Sequence, residues 1–234
     1  MDIKKLLEYA AIDAEMANLN RAFNDEDAVK EYKLQSKRYA DASALVAKLN
    51  GEAEDVISQI MALTDRYNEA MAQLTEYQQN AENIEDENEA DFYSKNVEKL
   101  ITTLGQLATE VAALGKRIAD IRTQTAKATT VAADANKRLS AVRGQYNEVV
   151  QRYQPQVNAI KARLSAAAVG LGDLLTVYQN LKKNNVKNRL VTVNGTNCGG
   201  CYMEVDAHTL NRMRADGYVL CPNCGRILYT PAEE

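Results

Sequence analysis

Cys198, Cys201, Cys221 and Cys224 are the only cysteines in the chain, and they fall as two pairs, "CGGC" and "CPNC", in the pattern C-x2-C-x19-C-x2-C. Two intervening residues let a tight turn aim both sulfurs of a pair at one ion, and the whole pattern lies within the range of a tetrathiolate zinc site. Gly199, Gly200 and Gly225 stand beside the sulfurs, where small residues let backbone N–H groups approach the thiolates. Four thiolates fill a tetrahedron and leave no position for water, so the cofactor predicted is one structural Zn2+. The rival chemistry, a thioredoxin-type dithiol, needs a C-x-x-C that opens a helix inside a βαβ pattern, and neither pair sits in one. His208, the only histidine, is expected at the surface or behind the ligands rather than among them.

The elements that must hold these turns begin near 186, where "VKNRLVTVNG" replaces helical texture with alternating apolar residues and a glycine. Strands are predicted in "LVTV", "YMEV", "YVL" and "ILYT", giving a zinc ribbon over 185–234. So small a domain buries too little apolar surface to fold on packing alone, which is a second and independent reason to expect a metal.

Everything before the ribbon reads as helix. The three prolines are Pro155, Pro222 and Pro231, so no proline interrupts the first 154 residues. Apolar or small residues recur at alternating steps of three and four from Val46 through Leu49, Ala53, Val56, Ile60, Leu63, Tyr67 and Ala70 to Leu74 and Tyr77. A second such seam starts at Leu100, Leu104, Leu107, Val111, Leu114, Ile118 and Ile121, thins to alanines, and returns at Leu139, Val142, Tyr146 and Val149. Each narrow stripe needs a partner helix. Between them "AENIEDENEADFY" (81–93) is polar and acidic and predicts the reversal, with Asp86 or Asn88 capping the incoming helix. The acidic cluster is read as a solvated tip rather than a cation or partner site. A break is expected at "NDEDA" (24–28), with Asn24 or Asp25 restarting the helix, and another at Pro155, after which the seam resumes through Leu164, Ala168, Leu171, Leu175 and Tyr178. The fold class is therefore mainly α: a long antiparallel coiled-coil hairpin over 1–184 with a small C-terminal β zinc ribbon.

The closing "CPNCGRILY", preceded by "LLTVYQNLKKN", resembles the bacterial C4-type zinc-ribbon family, whose members carry a long helical hairpin before the ribbon. Tyr178, Cys198, Cys201, Cys221, Pro222, Cys224, Gly225, Arg226, Leu228 and Tyr229 carry the resemblance. It implies a non-enzymatic protein. Members of the family are described as nucleic-acid binding, or as regulators and chaperones around flagellar or secretion machinery and alternative sigma factors.

A net charge of −4 argues against a surface coated in phosphate contacts. No apolar run approaches a membrane span, and the opening "MDIKKLLEYAAIDAEM" lacks the apolar core of a secretory signal, so a cytoplasmic protein is expected, without membrane or small-molecule partners. No phosphate-binding glycine loop and no Ser/His/Asp arrangement is present in the sequence. The leading reading is an adaptor or regulatory scaffold that binds protein partners through hairpin and ribbon. The alternative is RNA or DNA binding by the ribbon and its stem, through Lys182, Lys183, Lys187, Arg189 and Arg226, with Arg212 and Arg214 nearby and Tyr202, Tyr218 and Tyr229 as stacking candidates. Against it, seven Lys/Arg face five Asp/Glu from 182 to 234, and a tetrathiolate zinc of charge −2 cancels the surplus. Arg226 beside Cys224 then serves the thiolates, and Tyr229 the ribbon's own core.

Overall fold

The structure, a computed structural model, describes residues 3–84 and 86–230, with Glu82 described in its backbone only. Glu85 and the Glu82 side chain, part of the expected acidic tip, lie outside the described residues. The chain is mainly α, with short strands gathered around the cysteines. Packing divides it into two compact units, Glu31–Gly144 and Met1–Lys30 with Gln145–Glu234. That division runs across helices, whereas the sequence division at 184 follows a change of texture. Among the described residues no helix is long and apolar enough to cross a membrane.

The Glu31–Gly144 unit is an antiparallel helical pair. Helix α2 (Asp27–Asn80) passes through a 3-10 turn at Ala81–Asn83 into α3 (Glu87–Ala168). The Asp86 carboxylate accepts from the Glu89 amide at 2.8 Å, so of the two predicted caps it is Asp86 that opens α3. The buried residues follow a seven-residue spacing: Ala42, Leu49, Val56, Leu63 and Ala70 on α2, and Leu100, Leu107, Ile121, Ala128, Ala135 and Val142 on α3, where Leu114 is partly buried and Leu139 is buried outside the row. Arg66 and Glu110 pair across the helices at 3.2 Å, and Arg117 pairs with Glu52. The intermediate seam positions are less covered than the sequence implies: Tyr67, Val111 and Ile118 are 48%, 50% and 40% exposed. Two helices bury one stripe each, and the second row is covered only in places, as at Ala53 and Ile60, which pack against the Leu49, Val56 and Ile121 cluster.

Gln35 continues the α2 spacing one heptad before Ala42 and is buried, its amide donating to Glu31 Oε1 at 2.9 Å. A single polar residue in an apolar layer fixes register and lowers stability. Gln35→Leu is therefore expected to raise the thermal midpoint of the zinc-loaded chain. Hydrogen exchange of the α2 amides around Leu49 and Val56 checks whether register is loosened in return.

In the second unit α1 (Ile3–Asp25) packs on the C-terminal part of α3. Arg163 grips Glu15 with two bonds of 2.6 and 3.1 Å, and Phe23 meets the rings of Tyr146 and Tyr153 edge-on. The expected break falls at Glu26, and the helix restarts at Asp27 rather than at Asn24 or Asp25. The Glu26 carbonyl accepts from the Val29 and Lys30 amides, while its carboxylate takes the Tyr153 hydroxyl at 3.0 Å and the Arg152 guanidinium.

Pro155 does not break α3. Proline deprives the carbonyl four residues back of its donor, but Gln151 is exposed, at a position where solvent can compensate for the lost bond. The helix ends instead at Ala168, where Gly170 turns with a φ of +85°, and α4 (Gly172–Lys183) follows. The break thus lies within the seam that the sequence reading carries through Leu171.

The remaining elements are β1 (Leu190–Val191), β2 (Val193–Asn194), β3 (Asn197–Cys198), α5 (Ala207–Asp216), β4 (Tyr218–Leu220) and β5 (Ile227–Tyr229). Of the predicted "YMEV" strand only an isolated bridge from Glu204 to Asn197 forms. Helix α5, absent from the sequence reading, occupies the space after it. Asp206 caps α5 by accepting from the Thr209 amide at 2.8 Å and the Thr209 hydroxyl at 2.6 Å. Strands β1, β5 and β4 form one sheet in that order, β1 parallel and β4 antiparallel to the central β5, and β2 pairs with β3.

Adjacent residues of β5 enter two cores. Ile227 joins Leu6 of α1 with Leu171, Leu174, Tyr178 and Leu181, while Leu228 joins Val191, Cys198, Val205, Leu210, Met213 and Val219.

The paired carboxylates of α1 and Glu26 give this unit an acid limit. The Tyr153 hydroxyl, with help from Arg152, holds Glu26 below its ordinary value of 4.5, and Arg163 does the same for Glu15. Depressed folded-state values mean that this stabilisation is complete above the unfolded value and is lost as pH falls through the folded one. The thermal midpoint is expected to decline as pH drops below about 4.5, and the Glu15→Gln/Glu26→Gln variant to show a shallower decline.

Candidate metal centre

Two turns carry the sulfurs. The first follows β3, which ends on Cys198, and the second joins β4 to β5. In the first, the Gly199 amide donates to Thr192 O at 3.0 Å, the Gly200 amide to the Cys198 sulfur at 3.4 Å and the Tyr202 amide to Cys198 O at 2.8 Å. In the second, the Cys221 amide donates to Arg226 O and the Gly225 amide returns to Cys221 O. Side chains at Gly199 and Gly200 would crowd their neighbours. A Cβ on Gly199 would lie 2.5 Å from Thr192 O, and one on Gly200 2.4 Å from Arg226 Cδ.

The four sulfurs converge, every pair within 4.8 Å. Cys198 and Cys224 stand 3.9 Å apart, and Cys201 and Cys221 3.8 Å. A tetrahedron with Zn–S bonds of about 2.3 Å has edges of about 3.8 Å, so the residues present fit zinc. Cys198 and Cys221 are buried and Cys201 and Cys224 partly so, which closes the site on its protein side. With all four positions taken by sulfur, the ion's role is to hold two turns together.

Burial raises the Cys221 thiol to about 12, and Cys201 is also raised, although the Met203 amide opposes this. Burial acts upward on Cys224 too, but the Arg226 amide and guanidinium outweigh it and bring that thiol down to about 7. Among Cys201, Cys221 and Cys224, Cys224 is thus the sulfur most readily a thiolate before metal arrives.

The basic candidates divide. Lys182 pairs with the buried Asp13 of α1, whose other oxygen accepts the Tyr178 hydroxyl at 2.9 Å. Arg189 lies 5.0 Å over the Tyr178 ring. Arg226 Nε donates to Lys187 O at 3.2 Å, and its guanidinium bonds the Cys224 sulfur, which keeps it charged. Lys183 and Lys187 are exposed, and the Lys182 side chain is half exposed beside its carboxylate partner. Of the tyrosines, Tyr202 is 73% exposed, whereas Tyr218 and Tyr229 are half-buried. His208 is exposed on the first turn of α5 and outside the sulfur cluster.

Asp13 is the residue that sequence reasoning missed, since nothing distinguishes an aspartate in a helix as the buried one. Its sequence neighbour Ile12 is a seam residue, which is the one available hint. Helix α5 had a clearer signal in Asp206, Thr209 and Gly217, a cap at each end of an amphipathic run.

Residues 197–228 match the model of the C4-type zinc ribbon domain, so the chain carries such a domain at its C-terminus. Among curated proteins none matches the chain. Among solved structures, the HP0958 protein of Helicobacter pylori is 17% identical over 99% of this chain and 98% of its own, with a TM-score of 0.62. The CT398 protein of Chlamydia trachomatis is also 17% identical, over 97% and 96%, with a TM-score of 0.49. The first likeness shows a shared fold.

Metal content tests the site. The chain is expected to bind one zinc per molecule by elemental analysis, and Cys221→Ser to lose it. Gly199→Ala, which drives a methyl into Thr192 O without touching a ligand, is expected to release zinc to a chelator at least tenfold faster than the parent chain.

Proposed function

We propose that this chain is a zinc-binding adaptor or regulatory scaffold that engages protein partners through its helical pair and its ribbon, with no catalytic step of its own. The observation that carries the reading is the use of the basic residues. Lys182, Arg189 and Arg226 are spent on Asp13, the Tyr178 ring and Cys224, so the stem's charge serves the fold. The surface beside the first zinc turn is apolar instead, with Tyr202 73% and Met203 55% exposed. Tyr202 also holds a φ of +63°, a conformation that costs a bulky side chain about 1 kcal/mol or more and marks a position kept for something other than stability. The reading is a cytoplasmic one, supported by a four-cysteine metal site that needs its thiols reduced.

Nucleic-acid binding is the second reading, supported by the exposed Lys183, Lys187, Arg212 and Arg214 with the exposed Tyr202 ring.

An affinity pulldown with zinc-loaded chain from native lysate, with and without nuclease, separates them. The adaptor reading expects defined protein partners that survive nuclease and are reduced by Tyr202→Gly, which relaxes the turn while keeping the metal. Loss of every partner on nuclease treatment, together with salt-sensitive retention of RNA or DNA in a gel assay, would replace it with the second reading.

A further inference from the structure

Strand β4 is the outer strand of its sheet, bonded to β5 on one side only. The Cys221 amide donates to Arg226 O, so the odd-numbered residues of this antiparallel ladder exchange bonds with β5. Ile227, opposite Leu220, turns its amide the other way, to Arg189 O beside β1, in agreement with that alternation. The N–H and C=O of Leu220 therefore point away from the sheet. Among the described residues no backbone hydrogen bond outside the ladder ends on either group.

This edge is the floor of a cavity of about 770 Å³. Asp173, Leu174 and Val177 of α4 form one wall, Arg212, Ala215 and Asp216 of α5 the other, with Tyr218, Val219 and Leu220 below. Leu220 is 40% exposed although it belongs to a strand, and faces the opening. The ion pairs of the described residues include neither Asp173, Asp216 nor Arg212. The charged rim is therefore net negative by one.

The occupant's chemistry follows from these features. Only an extended backbone can return both bonds of an edge residue, so a strand fits the floor and a helix does not. Two carboxylates on opposite walls repel a phosphodiester and favour a cation. Leu220 with Val177 and Leu174 offers an apolar seat. We propose that the β4 groove takes an extended segment of a protein partner as an added strand, an apolar side chain over Leu220 and a Lys or Arg beside Asp173 or Asp216. The proposal rests on the adaptor reading and gives one of its surfaces a peptide chemistry.

The test is a phage-displayed random heptapeptide library panned on zinc-loaded full-length chain, with the best peptide then measured by fluorescence anisotropy. Enriched sequences are expected to alternate apolar residues with Lys or Arg. N-methylation of the peptide backbone should weaken binding about tenfold, the scale of one or two hydrogen bonds. Asp173→Lys/Asp216→Lys, with zinc content unchanged, should lose the basic peptides and gain ones carrying Glu or Asp. Leu220→Pro removes the outward amide donor at an edge, where proline is tolerated, and should weaken binding similarly.

No enrichment over the Leu220→Pro chain, or binding indifferent to both N-methylation and charge reversal, would overturn the proposal. So would sedimentation showing that the edge is already taken by a second copy, with Leu220→Pro dissociating it. None of these results bears on whether nuclease-resistant protein partners exist, so the groove can fail while the adaptor reading stands.

Discussion

The fold of the second unit depends on where β5 is held, and the four sulfurs hold it. A three-residue strand has too few ladder bonds to persist alone, and β5 starts just after Cys224, with its partner β4 running directly into Cys221. One ion drawing these two cysteines to Cys198 and Cys201 fixes the ladder at both ends of the turn. Because Ile227 faces one core and Leu228 the other, a displacement of β5 is felt in both. The metal thus acts well beyond the ribbon: the contacts of Leu6, Leu171 and Leu174 are downstream of it.

Arg226 illustrates how densely the turn is used. Its carbonyl receives the Cys221 amide, its guanidinium serves the Cys224 sulfur and the Lys187 carbonyl, and its stem lies where Gly200 has no side chain. Charge near a thiolate set is electrostatically favourable and is not free to meet an external phosphate. The same logic holds in the stem, where the buried Asp13 carboxylate pairs with Lys182, whose side chain stays half exposed. Positive residues in a list therefore overstate positive surface, and the difference bears directly on what the molecule can bind.

Much of this was legible from residue types and spacing. The ligand set follows from the C-x2-C pairs, and the helical pair from the seven-residue spacing, because both are short-range geometric requirements written into consecutive residues. Pro155 misled, since its cost depends on whether Gln151 can reach water, a property of the packed structure. The Gly170 break was masked by a seam whose apolar residues continue in register on either side of it. Helix α5 went unread because its ten residues carry mixed polarity, although its caps are plain. Asp13 and the outward edge of β4 could not be found by any local rule: each is defined by what comes to lie beside it from a distant part of the chain.

Leu6 has no exposed surface, and its cover includes Ile227. Synthesis runs from α1 towards β5, so the apolar face of α1 is made well before the strand that closes it. The cluster around Leu49, Val56 and Ile121 draws only on residues of the Glu31–Gly144 unit. The apolar face of α1 is closed only where β5 is in place, so whatever undoes the turn between Cys221 and Cys224 uncovers Leu6 as well.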